Sequence, residues 1–328
     1  MGFLVSLLFG CVPMLLFAGF LYWLDRYEKE PKILVGAGFL WGAFIAAGVA
    51  FAVNTVLGMG LYLVTGSETA TEFATGSLVA PPVEEILKGL AVLLIFLIFR
   101  AEFDSVLDGI VYAGITALGF AATENTYYIY TYGYQESGYE GLLWLVFVRV
   151  ILVGWQHPFY TSFIGIGLAI TRLNRQLWIK LLAPALGLGI AIFAHSIHNT
   201  LASLLSGIGG LVFGTLVDWI GWFGMFLVIL WAIWQVQNRI RKYLKEETEN
   251  GIISTAQYKT ACSACLQSKA RLSSIFIGKH RATARFYQLC AELAHKKYQL
   301  EKLEEFQYLK VIEKTRSELA QLASQAYS

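Results

Sequence analysis

The chain of 328 residues is 56% hydrophobic and only 15% charged, with a positive mean hydropathy, a balance that excludes an ordinary soluble domain. Its net charge of +2 gives no basic surface of the kind that nucleic-acid binding needs, so no nucleic-acid partner is expected. What remains is an integral membrane protein whose first partner is the lipid bilayer.

Seven apolar stretches of membrane length follow one another, at roughly 3 to 24, 33 to 57, 79 to 99, 106 to 130, 142 to 171, 181 to 205 and 211 to 236. The first has no basic segment ahead of it and no small-residue cleavage site before "DRYEKEPK", so it reads as a retained helix and not as a cleaved signal. Basic residues then set the orientation. Arg26, Lys29 and Lys32 follow the first stretch, Arg100 the third, Arg172, Arg175 and Lys180 the fifth, and "NRIRKYLK" the last. The connections around 58 to 78, 131 to 141 and 206 to 210 contain no Lys or Arg. The alternation predicts an N-terminus outside and a C-terminus in the cytoplasm.

After about residue 240 the sequence turns polar, and in "FYQLCAELAHKKYQLEKLEEFQYLKVIEKTRSELAQL" apolar residues recur at helical spacing. The expected fold is therefore all-α. A polytopic bundle of about seven transmembrane helices occupies residues 1 to 240, and a cytosolic, amphipathic helical appendage occupies 241 to 328, with a cytosolic partner as its conceivable role. Of four cysteines, Cys11 lies in the first stretch and Cys262, Cys265 and Cys290 lie in the tail, where thiols are kept reduced. Cys262-x-x-Cys265 with His280, Cys290 and His295 invites a zinc reading, but the irregular spacing suits small core residues better.

Ionisable groups at membrane depth cost a few kcal/mol each, so a cluster of them asks for a function. Glu84, Glu85, Lys88, Glu124, His157, His195 and His198 all fall inside predicted spans, with Arg149 and Asn199 beside them. In "APPVEEILKG", Glu84 and Lys88 share a helix face at i,i+4, and Pro81 and Pro82 suit a first helical turn. In "HSIHN", His195, His198 and Asn199 crowd one side; in "QHPFYT", His157 and Thr161 do so, with Pro158 expected to kink the helix. The proposed topology puts Glu84 and Glu85 roughly 8 to 9 Å below the outer surface, with Glu124 and His195 at similar depth.

Histidines and carboxylates from separate helices, with a glutamate to spare, match a catalytic zinc site in which a further carboxylate acts as general base on water. An Asn or second histidine nearby suits an oxyanion. No serine, cysteine or aspartate pair is placed for nucleophilic or two-aspartate catalysis. Arg149 reads as a counter-ion to one of the acids.

These motifs resemble those of the PrsW-type intramembrane proteases, relatives of the CAAX prenyl endopeptidases and bacteriocin-immunity-like membrane proteins. "APPVEEILKG" is similar to the family's E-E-x-x-K motif and "GITALGFAATEN" to its F-x-x-x-E motif, here Phe120 and Glu124. "HPFYT" and "HSIHN" resemble its histidine motifs, and "WLDRYEKEP" its segment after the first helix. The resemblance covers residues 1 to about 236 and implies a metal-dependent peptidase, with zinc the expected metal, in a bacterial plasma membrane. It implies that one of Glu84 and Glu85 activates water and that Lys88 orients the pair. Glu124, His157, His195 and Asn199 would hold or surround the metal, with His198 a further ligand or a neighbour. It further implies a single-span membrane protein as substrate, such as an anti-sigma factor cut near the outer face. The competing readings are a proton-coupled transporter or channel, against which the lack of an inverted repeat counts, and a non-catalytic immunity or scaffold protein.

Overall fold

The computed structural model describes residues 1–25, 27–205 and 207–327; Arg26 of the first basic connection and Ser206 of an uncharged one lie outside them. Among the described residues the regular structure is entirely helical. That is the solution lipid imposes, because a helix satisfies its backbone groups internally where no water can. The helices are α1 (Gly2–Leu24), α2 (Lys32–Leu40), α3 (Ala47–Thr65), α4 (Glu68–Ala74), α5 (Ala80–Ile98), α6 (Val106–Tyr128) and α7 (Gln135–Val146). There follow α8 (Gln156–Leu173), α9 (Leu177–Leu204), α10 (Gly207–Glu249), α11 (Thr255–Ala261), α12 (Ala264–Phe276), α13 (His280–Leu303) and α14 (Leu309–Ala323).

Among the described residues, five helical stretches are long and apolar enough to cross a membrane: Gly2–Leu24, Lys32–Thr65, Val106–Leu173, Leu177–Leu204 and Gly207–Glu249. The difference from the seven expected lies in two places. α5 carries Glu84, Glu85 and Lys88, and Val106–Leu173 is near-continuous although its backbone leaves helical geometry at Ser137 and Gly138. Pro158 does not kink a helix as expected. The helical backbone already stops after Leu152, and α8 starts afresh at Gln156, so Pro158 sits in a first turn whose N–H groups need no partner.

The chain divides into two compact units, the first comprising Met1–Trp23, Glu30–Arg172 and Gln176–Ile229. At its centre stands α6, buried at every position from Leu107 to Ala122. The helix begins on a capping box: the Ser105 hydroxyl accepts from the Leu107 and Asp108 amides, and the Asp108 carboxylate accepts from the Ser105 amide at 2.6 Å. Its neighbours come close because glycines face them. A Cβ on Gly109 of α6 or Gly165 of α8 would overlap the other's carbonyl, the small-residue contact by which membrane helices approach.

π-helical turns interrupt the ladder at Trp41–Ala46, Thr75–Val79, Ile129–Tyr134 and Phe147–Leu152. Three of them offer a carbonyl to another helix, Leu152 accepting from the Trp219 indole of α10 at 2.9 Å. Ala43 accepts from the Thr123 hydroxyl at 2.6 Å, and Gly76 accepts from the Asn199 amide at 2.8 Å.

The second unit comprises Leu24–Lys29, Leu173–Arg175 and Leu230–Ser328. The polar end of α10 packs with α13 and α14 through Ile240, Leu244, Phe286, Leu289, Leu293, Ile312 and Leu319. Cys262 and Cys290 are buried in this core while Cys265 is exposed, and among the described residues no cysteine joins a metal-competent group. Burial pushes the Cys290 thiol up, which keeps it protonated within this core. Cys262 and Cys290 are thus core residues as expected, whereas Cys265, expected beside them, faces outward.

Filling the α6–α8 contact should be costly: Gly165→Val is expected to lose about 1–3 kcal/mol, read as a lower melting temperature in detergent. Gly189→Ala, whose Cβ meets nothing within 4 Å, is the control and should melt with the parent.

Candidate metal-dependent active site

The first unit gathers its intramembrane charges around α5. Lys88 is fully buried, and its ammonium lies 2.5 Å from Glu85 Oε1, 3.9 Å from Glu84 Oε2 and 4.4 Å above the Phe120 ring. It also donates to His157 Nδ1 at 3.2 Å. An ammonium can only donate, so His157 carries its proton on Nε2, and that nitrogen donates to Glu124 Oε2 at 2.8 Å.

Glu85 is fully buried and fully engaged. Its Oε1 faces Lys88 and accepts from His195 Nδ1 at 2.9 Å, and its Oε2 accepts from the Thr161 hydroxyl at 2.8 Å. The Tyr160 ring stacks on His195 at 4.8 Å, so the imidazole is held on an edge and on a face. With Nδ1 committed to Glu85, His195 turns Nε2 towards Glu84, 3.8 Å from Oε2. A carboxylate on one imidazole nitrogen and an open second nitrogen is how metal-binding histidines are oriented.

Glu84 is the contrast. Asn54 of α3 reaches its Oε1 at 3.5 Å, while its buried Oε2 has no hydrogen-bond partner. Ligand atoms of Glu84, His157 and His195 lie within 4.8 Å of one another. A buried, unpartnered carboxylate oxygen is expensive, and a cation relieves it. With neutral histidines, Glu84, Glu85 and Glu124 also outnumber Lys88 and Arg149, which leaves negative charge for a cation to balance. Glu84 and His195 thus fit a metal ion as they stand, and His157 fits one by giving up the hydrogen bond from Lys88.

The remaining expected residues lie nearby with other engagements. Glu124 Oε2 is held by Arg149 Nη2 at 2.5 Å; Arg149 also donates to Asn125 Oδ1 at 2.9 Å and lies 4.0 Å over Tyr128. Asn199 gives its amide to Gly76. His198 is engaged elsewhere, with Nδ1 3.0 Å from Asp218 Oδ2, and Gln156 Nε2 donates to the same Asp218 oxygen at 2.8 Å. All of these except Asn125 and Asp218 line one cavity of about 310 Å³ together with Glu84, His157 and His195.

Asp218 and Gln156 are site neighbours that the sequence reading passed over. Asp218 was findable, since it is the lone acid in the apolar run from 211 to 236 and the rule that flagged Glu124 applies to it equally. Gln156 gives no such signal, being an uncharged residue at a helix start.

The profile of the PrsW family of intramembrane metalloproteases matches residues 30–233, which contain this whole constellation. The chain belongs to that family. It is similar to the Protease PrsW of Geobacillus kaustophilus (strain HTA426), 26% identical over 197 residues that cover 58% of this chain and 77% of the relative. It is also similar to the Protease PrsW of Clostridioides difficile (strain 630), at 32% over 124 residues, 38% of this chain and 50% of the relative. The Protease PrsW of Bacillus subtilis (strain 168) is 30% identical over 134 residues, 41% of this chain and 58% of that protein. The matches thus span only about half the length of the last two relatives. No solved structure matches the chain. PrsW-family membership makes the chain an intramembrane protease and an integral membrane protein, and α13 and α14 fall outside the matched region.

Removing Lys88 tests the charge balance. Lys88→Met strands Glu85 without its cation and is expected to cost about 3–5 kcal/mol, measured as loss of folded protein on thermal unfolding. Arg149→Met should cost less, because the Arg149 side chain keeps 22% of its exposure and solvent screens the Glu124 it leaves behind.

Proposed function

We propose that the chain is an endopeptidase in which Glu84, His195 and His157 hold a zinc ion, His157 by exchanging the hydrogen bond that its Nδ1 now accepts from Lys88, and in which Glu124 handles the proton. The observation that carries this reading is the buried Glu84 Oε2, unpartnered and facing two imidazoles. Bound zinc would supply a water of lowered pKa and polarise the scissile carbonyl. The chain's own groups divide the other work. Glu85, fixed by Lys88 and Thr161, has no free oxygen and orients His195 in place of activating water. Glu124 has one oxygen committed to Arg149 and His157 and a side chain 20% exposed on the cavity side, so its second oxygen can take a proton from water and pass it to the leaving amine. Arg149 fixes that carboxylate. His198 and Asn199, on the cavity wall, present polar groups to the substrate backbone.

In this reading α5 is a span despite its charges, and the near-continuous stretch from Val106 to Leu173 crosses twice, which restores seven spans. The basic connections then lie in the cytoplasm with α11 to α14, the N-terminus lies outside, and Glu84 opens near the outer surface of a bacterial plasma membrane. Water reaches it there without crossing the hydrocarbon midplane. The substrate class is a single-span membrane protein, for which a membrane-anchored anti-sigma factor is the type that the motif resemblance suggests. Its helix must unwind to expose a peptide bond, so helix-breaking residues near its outer end should favour cleavage.

Purified protein assayed on single-span substrates, with zinc content measured in parallel, separates the roles. Glu84→Gln should lose both metal and turnover, whereas Glu124→Gln should keep metal and lose turnover by about 10²-fold or more. The reverse pattern would make Glu124 the ligand and Glu84 the base, and turnover indifferent to chelator would remove the metal from the reading.

Orientation has its own measurement. Glu68→Cys and Gln135→Cys should react with impermeant thiol reagents added outside intact cells, and reaction only after lysis would place the site on the cytoplasmic side.

A further inference from the structure

α12 is built the wrong way round for a helix of a water-soluble subdomain. It buries Gln267, Ala270 and Ser274 at i, i+3 and i+7, and it exposes Leu266, Leu272, Ile275 and Phe276, with Ile277 following in the turn. Phe276 is 90% exposed. Contiguous apolar exposure of this kind marks an interaction surface.

Charge identifies what covers it. From Asn250 to Ala291 the chain carries Lys259, Lys269, Arg271, Lys279, Arg281 and Arg285 and no Asp or Glu, although the sequence that follows, from Glu292 on, is rich in Glu. Lys269 lies on the same side of α12 as Leu272 and Phe276, while Lys279 and Arg281 are exposed just beyond the turn. An apolar ridge set among cations, with acids excluded, is complementary to a surface that is apolar beneath and anionic on top.

The connectivity of the chain agrees. The Ala264 amide at its start donates to the Tyr27 hydroxyl at 3.0 Å, and the Cys262 carbonyl just before it accepts from Gln237 Nε2 at 2.7 Å. Both partners belong to the second unit. Tyr27 comes three residues after α1 ends at Leu24, and Gln237 comes one residue after the apolar run that ends at 236, so both partners lie in the chain within a few residues of a membrane-length apolar run.

We propose that α12 and the turn into α13 form an interfacial finger that docks on an anionic lipid surface. Leu272, Ile275, Phe276 and Ile277 enter the boundary between headgroups and acyl chains, and Lys269, Lys279 and Arg281 meet lipid phosphates. This inference does not depend on the peptidase reading.

Full-length protein in nanodiscs provides the test. In phosphatidylcholine mixed with phosphatidylglycerol, a bimane attached through F276C in a C265S background should be quenched by spin-labelled lipid, and the amides of residues 272–281 should resist hydrogen exchange. In phosphatidylcholine alone, or in K269Q/K279Q/R281Q, both signals should fall, with docking weakened about fivefold for each charge removed. F276S removes an exposed side chain and so leaves the fold intact, and it should lose the exchange protection too. A label equally open to aqueous quencher in both lipid mixtures overturns the proposal. So does protection that requires self-association or an added soluble protein, because either result assigns the face to a protein partner.

Discussion

An ammonium with no exposed surface, 2.5 Å from a carboxylate with none, is the contact around which the membrane unit is organised. Neither Lys88 nor Glu85 is tolerable in hydrocarbon alone, and one side chain on each is not enough, because the ammonium has three protons and the carboxylate several lone pairs to satisfy. Phe120, His157, Thr161 and His195 complete the shell, and they come from α6, α8 and α9. The pair therefore dictates how far each of those helices is rotated and at what level it stands relative to α5. The orientation of the imidazoles towards Glu84 is a by-product of neutralising a lysine.

That dependence explains what was legible in the sequence. The identity of the residues was readable because intramembrane charge is costly, and the costly residues sort themselves into one place. Their division of labour was not. Glu84 and Glu85 are adjacent and chemically identical, and only the partners of each oxygen distinguish a saturated carboxylate from an open one. Likewise Glu124 and His198 look like ligands by residue type, yet Arg149 and Asp218, contributed by a different helical segment in each case, hold them otherwise. Long-range partners leave no periodic trace. Asp218 differs, for its trace was present as a single acid in an apolar run.

The helix count shows the complementary weakness. Hydropathy marks where a chain prefers lipid and so counts seven stretches, but it does not weigh the three charged side chains of α5, and it does not foresee that Val106–Leu173 runs on nearly continuous, with breaks at Ser137 and Gly138 and again before Gln156. Pro158 was visible as a helix-perturbing residue and ambiguous in effect, since a proline at a helix start and one at a kink look the same in one dimension. In the tail the amphipathic spacing of α13 and α14 was plain. α12 was not, because its apolar residues lie opposite to its core.

The π-helical turns carry a consequence for how such a chain changes over time. Each holds one residue more per turn than ordinary helix, and losing that residue would restore the regular ladder while rotating everything beyond it by about 100°. Insertions of a single residue are thus absorbed in the turns at Thr75–Val79, Ile129–Tyr134 and Phe147–Leu152, which lie next to the helices bearing Glu84, Glu124 and His157, and in the turn at Trp41–Ala46 between α2 and α3. Spacing between the motifs is free to drift where spacing within them is not, so lineages of this architecture can diverge in length while the same few side chains stay aimed at one another.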